Sequence, residues 1–188
     1  VVVNDLGCDT NGAGSSHDPA DSVAAEIKAK GGNAVANYEN VATIEGGEKV
    51  IQAAVDSFGK IDVLVNSIGI LQDRMIYQMT PEEFYSLLDN NTKGVFCTTK
   101  FAGILMRQQR SGHIINMTSD AGLGDVGASN FAAASEGVIG VTRTTARDLG
   151  RYGVTANNIS ALARTRLFPG TVSEMRSATL GVPGSEAR

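Results

Sequence analysis

The chain has 188 residues, of which 42% are hydrophobic and 19% charged, and a net charge of −4. That is enough for one domain with a sizeable core, and the acidic balance argues against a nucleic-acid-binding surface. No run approaches the roughly 18 apolar residues of a membrane span, and the two cysteines, Cys8 and Cys97, have neither metal-ligand spacing nor the number for a disulfide framework.

Val1–Asp5 reads as a short β-branched strand. Ala20–Lys30 has helical spacing (Val23, Ala24, Ile27) and stops at Gly31-Gly32. Ala34–Tyr38 is a second strand. Glu45–Phe58 is a helix with Val50, Ile51, Ala54, Val55 and Phe58 on one face, ended by Gly59. Ile61–Asn66 is a third strand. Thr80-Pro81-Glu82-Glu83 starts a helix: a threonine cap, a proline in the first turn and a glutamate at the third position. The spacing predicts that this helix runs to about Gln109. His113–Thr118 is a fourth strand, Asn130–Tyr152 a long helix and Val154–Ser160 a fifth strand.

Alternation of apolar strands with helical crossovers predicts an α/β fold, a doubly wound parallel sheet covered by helices. One domain is expected over residues 1–168, followed by a weakly patterned tail over 169–188. The opening directly on a strand and the unpatterned close suggest a chain incomplete at both ends. No secretory leader pattern is visible, and a reduced, cytoplasmic setting is the expectation.

Taken in order, the motifs resemble the short-chain dehydrogenase/reductase family. They are V-N-D-L-G at the first strand, A-V-A-N-Y-E-N-V at the second, G-I-L-Q-D-R-M-I after the third, and the stretch from Ser119 to Thr142. The resemblance covers about Val1 to Leu167. It looks closest to the hydroxyacyl-CoA dehydrogenase branch, which includes the dehydrogenase part of peroxisomal multifunctional enzymes. It implies a Rossmann-like fold, NAD(P)(H) as cofactor, and interconversion of alcohols and ketones. The family's first strand and glycine-rich phosphate turn would lie before Val1. Gly7, Gly12 and Gly14 are set aside as that turn, because their spacing is one residue too long and Asp5 already occupies the ribose-reading position.

The resemblance assigns roles residue by residue. Asp5 would accept hydrogen bonds from the adenosine ribose and so point to NAD, or it caps a turn. Glu39 and Asn40 stand near the adenine position, or are solvated loop residues. Asn66-Ser67-Ile68-Gly69 stands where the family has Asn-Asn-Ala-Gly, with Asn66 and Gly69 beside the ribose and Ile68 adding bulk. Asn91 matches the asparagine of the proton relay, or is a buried asparagine satisfying carbonyls. Ser119 matches the serine that bonds the substrate oxygen, with Thr118 as the fallback. Thr165 matches the residue that contacts the carboxamide.

The departures fall on the chemistry. Phe131 stands at the tyrosine position and Ser135 at the lysine position, so neither a phenol nor an ammonium is supplied where the family passes its proton. Ala161 and Leu162 replace a Pro-Gly that shapes the nicotinamide pocket. Asp120, Asp125, Glu136 and Tyr77 are the candidates to stand in for the lost acid. Two functions follow. One is an NAD-linked oxidoreductase of hydroxyacyl or oxoacyl compounds. The other is a catalytically silent subunit, a pseudoenzyme that packs with an active relative. A third, non-redox chemistry on Asp120, has the weakest support. In the family the two long helices, here 81–109 and 130–152, pair with their counterparts in homo- or hetero-oligomers. The small residues Ala132, Ala133, Gly137 and Gly140 suit close helix contact, with each other or with this chain's own sheet.

Overall fold

The computed structural model describes residues 1–161 and 163–167. In chain order these form β1 (Val2–Asn4), α1 (Asp18–Ala29), β2 (Val35–Asn37), α2 (Ile44–Phe58), β3 (Val63–Asn66), α3 (Pro81–Leu87), α4 (Gly94–Gln109), β4 (Gly112–Thr118), α5 (Ser129–Gly150) and β5 (Val154–Ser160). Every strand pairing is parallel, as helical crossovers require. The expected α/β architecture is present, with element ends within a few residues of those predicted. Leu162 and the tail over 169–188 lie outside the described residues.

The strands form two sheets, β1-β2 and β3-β4-β5. Among the described residues β1 and β3 do not pair. A largely apolar cavity of about 470 Å³ lies between them, lined by Val2, Val50, Ile51, Val63 and Val65 among others. The two sheets are held by the helices: α2 packs on β1 and β2, and also on α4, which lies on β3 and β4. The main core is built at this junction from Val50 and Ile51 of α2, Ala102 and Met106 of α4, Ile114 of β4 and Val154 of β5. A second apolar cluster, Ile70, Leu87, Ala121, Ala128 and Phe131, lies beneath the loops at the C-terminal strand ends.

The expected helix over 81–109 is present, with one wide π-helical turn, Leu88–Lys93, between its α3 and α4 parts. Such turns recur at functional sites, and this one carries Asn91. The start of α3 follows the predicted signal. The Glu83 amide donates to Thr80 Oγ1 (3.2 Å), and the Thr80 amide donates to Glu83 Oε2 (2.9 Å). Arg74 Nε lies 2.7 Å from Glu83 Oε1. The bond from the Thr80 backbone, and then Arg74, hold the Glu83 carboxyl below its usual range. A depressed carboxyl stabilises the fold above its ordinary value of about 4.3 and loses that contribution as pH falls through the folded value. Glu83→Gln keeps the cap acceptor and removes the charge. Its urea-denaturation midpoint is expected to fall less steeply between roughly pH 5 and pH 3 than that of the parent. Parallel acid limbs for the two proteins would remove Glu83 from the acid response.

Candidate functional site

The C-terminal ends of β3, β4 and β5 and the first turns of α5 enclose a cavity of about 230 Å³. Phe131, Ala134, Ser135 and Val138 present one face of α5 to it, as positions three, four and seven apart must. Met117, Thr118 and Ser119 form the strand wall, Ser67, Ile68 and Gly69 the turn after β3, and Ala163, Thr165 and Leu167 the outer rim. Gly69, Asn91, Ser119, Phe131, Ser135 and Thr165, spread over almost a hundred positions of sequence, thus meet in one place.

The start of α5 is set by Asn130, which is fully buried. Its Nδ2 donates to the carbonyls of Gln72 (2.9 Å) and Glu83 (3.3 Å), and its Oδ1 accepts from the Phe131 amide (2.8 Å). This fixes where the Phe131 ring sits; only 8% of that residue is exposed. Thr118 Oγ1 donates to the Ser135 carbonyl (3.1 Å), tying β4 to the same helix. Ser119 caps the short 3-10 turn Asp120–Leu123, its Oγ accepting from the Ala121 amide (3.2 Å). The two polar ends of the Asn91 side chain meet the backbone of Ile70: the Ile70 amide donates to Oδ1 (3.0 Å) and Nδ2 donates to the carbonyl (3.2 Å). Ile68 rests over Gly94, where a Cβ would lie 3.4 Å from Ile68 Cδ1, so the start of α4 takes up part of its bulk.

A smaller cavity of about 110 Å³ adjoins this one through Ser67, Ile68 and Gly69. Glu39 and Asn40 line it with Asn4, Leu6 and Cys8. Glu39 is 3.5 Å from Lys49 Nζ. Asp5 lines neither cavity; its Oδ1 accepts from the Gly7 amide (2.7 Å), the bond of a turn cap. Gly7, Gly12 and Gly14 also lie outside both linings. Their loop folds against the loop following β3, where the Leu71 amide donates to the Thr10 carbonyl (2.8 Å) and Gln72 Nε2 to the Asn11 carbonyl (2.8 Å). A side chain at Gly7 would collide with the Ser16 backbone, which is why glycine stands there with φ at 70°.

Beneath the cavity floor runs a buried polar ladder that sequence reasoning missed. Thr98 Oγ1 donates to Asn66 Oδ1 (2.8 Å), Asn66 Nδ2 donates to Asn116 Oδ1 (2.8 Å), and Asn116 Nδ2 donates to Thr142 Oγ1 (2.7 Å). The Thr142 hydroxyl lies 2.8 Å from Asn158 Oδ1. Asn66 is therefore below the cleft, 2% exposed, with its side chain committed to Asn116 of β4 and Thr98 of α4. A readable signal existed: Asn66, Asn116 and Asn158 stand on adjacent parallel strands in register with one another.

Among the described residues, none of the fifteen that line the 230 Å³ cavity carries an ionisable side chain. Among the stand-in candidates, Asp125 caps its own loop by accepting from the Val126 amide (2.8 Å), Glu136 sits against Gly122, and Tyr77 is 78% exposed. Asp120 Oδ1 lies 3.5 Å from Ser119 Oγ, a long approach, and is outside the lining.

The relatives of the chain agree on one family. The family model for short chain dehydrogenases matches residues 3–167. The peroxisomal hydratase-dehydrogenase-epimerase of Saccharomyces cerevisiae is 44% identical over 168 residues, which is 89% of this chain and 18% of that protein. The 3-oxoacyl-[acyl-carrier-protein] reductase of Synechocystis is 45% identical over 142 residues, covering 75% of this chain and 58% of the relative. A short chain dehydrogenase from Mycobacterium avium, solved by crystallography, superposes with a TM-score of 0.79 at 42% identity, over 90% of this chain and 61% of that one. The chain thus spans less than two thirds of each of these three. With parallel strands, a cavity at their C-terminal ends and this match from β1 to the cavity rim, the chain belongs to the short-chain dehydrogenase family.

Proposed function

We propose that this chain is a nicotinamide-cleft scaffold of hydroxyacyl or oxoacyl type that carries out little or no hydride chemistry alone and works packed against an active relative. The observation that carries the reading is that, among the described residues, no ionisable side chain lines the 230 Å³ cavity at the strand ends. Alcohol–ketone interconversion needs a proton delivered to or taken from the substrate oxygen as hydride moves. Ser119 and Ser135 can donate hydrogen bonds there, but a free hydroxyl does not release its proton near neutral pH.

The described residues fit the two ends of a dinucleotide. Glu39 and Asn40 would face an adenosine at the smaller cavity. Thr165 and Ser119 would border a nicotinamide and a carbonyl oxygen at the larger one. When bound, the nicotinamide supplies or accepts the hydride. Ile68 and the Phe131 ring narrow the space, and Ser119 orients the carbonyl. Asp5, held in its turn cap, is the weakest of the proposed cofactor contacts. The preference for NAD over NADP therefore rests on its being free to leave that turn.

Association through the α3–α4 face is supported by exposed apolar residues: Tyr85, Phe96 and Ile104 are each more than two-fifths exposed. Gly140 opens onto empty space, whereas Gly137 packs against Thr92 of its own chain. Among the described residues no helix is long and apolar enough to cross a membrane.

An oxidoreductase reading is favoured by the names of the relatives and by Ser119 and Asn91 lining the same cavity as Phe131. Calorimetry separates the two. NAD at millimolar concentration is expected to bind without supporting turnover of an acetoacetyl thioester above background. Turnover comparable to an active relative, at matched concentration and purity, would overturn the scaffold reading. An absence of heat with both NAD and NADP would overturn the cleft itself.

A further inference from the structure

The end of the molecule opposite the cavity carries a second site. We propose that Arg107, Arg110 and Arg151, gathered around Tyr152, together with Arg147 beside them, bind a small phosphate-bearing anion.

The arginines come from the C-terminal ends of two helices. Arg110 caps α4 and Arg151 caps α5. Gly153, with φ at 77°, lets the two ends meet: a Cβ there would lie 2.8 Å from the Arg110 carbonyl. Three guanidinium groups then surround one ring, with Arg151 at 4.8 Å, Arg110 at 5.7 Å and Arg107 at 5.8 Å from the Tyr152 centroid. Arg151 Nη2 also donates to the Tyr152 hydroxyl (2.7 Å). Arg147 stands one turn before Arg151, on the rim of a depression lined by Arg107, Arg147, Asp148, Leu149, Arg151 and Tyr152.

Among the described residues none of these four arginines has a carboxylate within 4.0 Å. The plain alternative is that they neutralise helix dipoles. The magnitudes decide against that as the whole account. Two helix C-termini contribute roughly −0.5 each, and Asp148 one more negative charge. About two positive charges are left over, in a chain whose net charge is −4. Arg110 adds to the surplus from a left-handed conformation, φ 57°, the only non-glycine positive φ among the described residues. Guanidinium groups offer forked donors that match phosphate oxygens in pairs, and the Tyr152 ring holds three of them in place without spending those donors on carboxylates.

The cluster is separate from the cavity. It lies where β4 and β5 begin, and the cavity where they end; seven residues of strand at about 3.3 Å each put roughly 20 Å between them. It is therefore independent of whether a nicotinamide binds.

The test is calorimetric titration of the whole chain with inorganic pyrophosphate, and in parallel with adenosine 3′,5′-bisphosphate. Saturable one-to-one binding is expected, unchanged by excess NAD. It should be at least tenfold weaker in Arg147→Ala/Arg151→Ala, whose fold is checked by circular dichroism, and also weaker in Arg107→Ala. Tighter binding of the bisphosphate than of pyrophosphate would identify a nucleotide source for the phosphate; the reverse would identify free phosphate. The proposal fails if binding is absent, if NAD displaces the anion, or if the arginine variants bind as tightly as the parent. It also fails if a glutamate-rich peptide binds and pyrophosphate does not.

Discussion

Phe131→Tyr combined with Ser135→Lys is expected to raise reduction of an acetoacetyl thioester by NADH about 10²- to 10⁴-fold over the parent, the usual contribution of a positioned acid–base group. Both positions already line the cavity, one turn apart on the same face of α5, and Asn130 and Thr118 fix that face through backbone bonds that neither substitution touches. The tyrosine hydroxyl would extend from a ring that is already buried against the wall. The lysine would enter a site only 5% exposed, so its ammonium loses hydration, and some loss of thermal stability should accompany the gain. Each single variant is expected to stay near background. The tyrosine alone keeps a phenol near its ordinary pKa of about 10, and the lysine alone has no phenol to assist. Two results would count against the register of α5: a double variant that binds NADH yet remains inert, or a parent that is already as fast.

The second large effect concerns the polar ladder. Asn116→Ala is expected to destabilise the chain by about 2–4 kcal/mol, because it leaves the buried Asn66 amide and Thr142 hydroxyl short of a partner and opens a small void. At this chain length that corresponds to a Tm lower by roughly 5–15 °C. Asn158→Ala, at the half-buried end of the same ladder, should cost only about 1 kcal/mol. Urea denaturation measures both. An Asn116→Ala midpoint within error of the parent would mean that the ladder contributes nothing net to folding.

Much of the fold was legible because the chain states its period plainly. The apolar face of α2, its glycine stop, and the Thr80–Glu83 box each announce one local structure, and each formed. The widened turn between α3 and α4 was not legible. The turn there carries Asn91, which bonds Ile70 twenty-one residues earlier, and no local propensity encodes that bond. The start of α1 at Asp18 was missed although Pro19 marks it, because the apolar spacing begins only later. In the site, the positions came from motif order, and the structure brings six of them to one cavity. Asp5 shows where such reading stops. A carboxylate at a strand end serves a ribose or its own turn equally well as text, and only the Gly7 amide at 2.7 Å separates the two. Asn130 was passed over as ordinary helix sequence, yet it sets the first turn of α5 against two distant carbonyls.

The ladder beneath the floor also bears on how such a chain changes over generations. The shape of the hollow above it is set by amides and hydroxyls that none of the reactive positions supplies. Side chains pointing into the hollow can therefore drift without collapsing the walls, and selection for a foldable partner would leave them unguarded. An architecture that separates its struts from its reagents tolerates exchange at the reactive positions, and can be refurnished by a few substitutions.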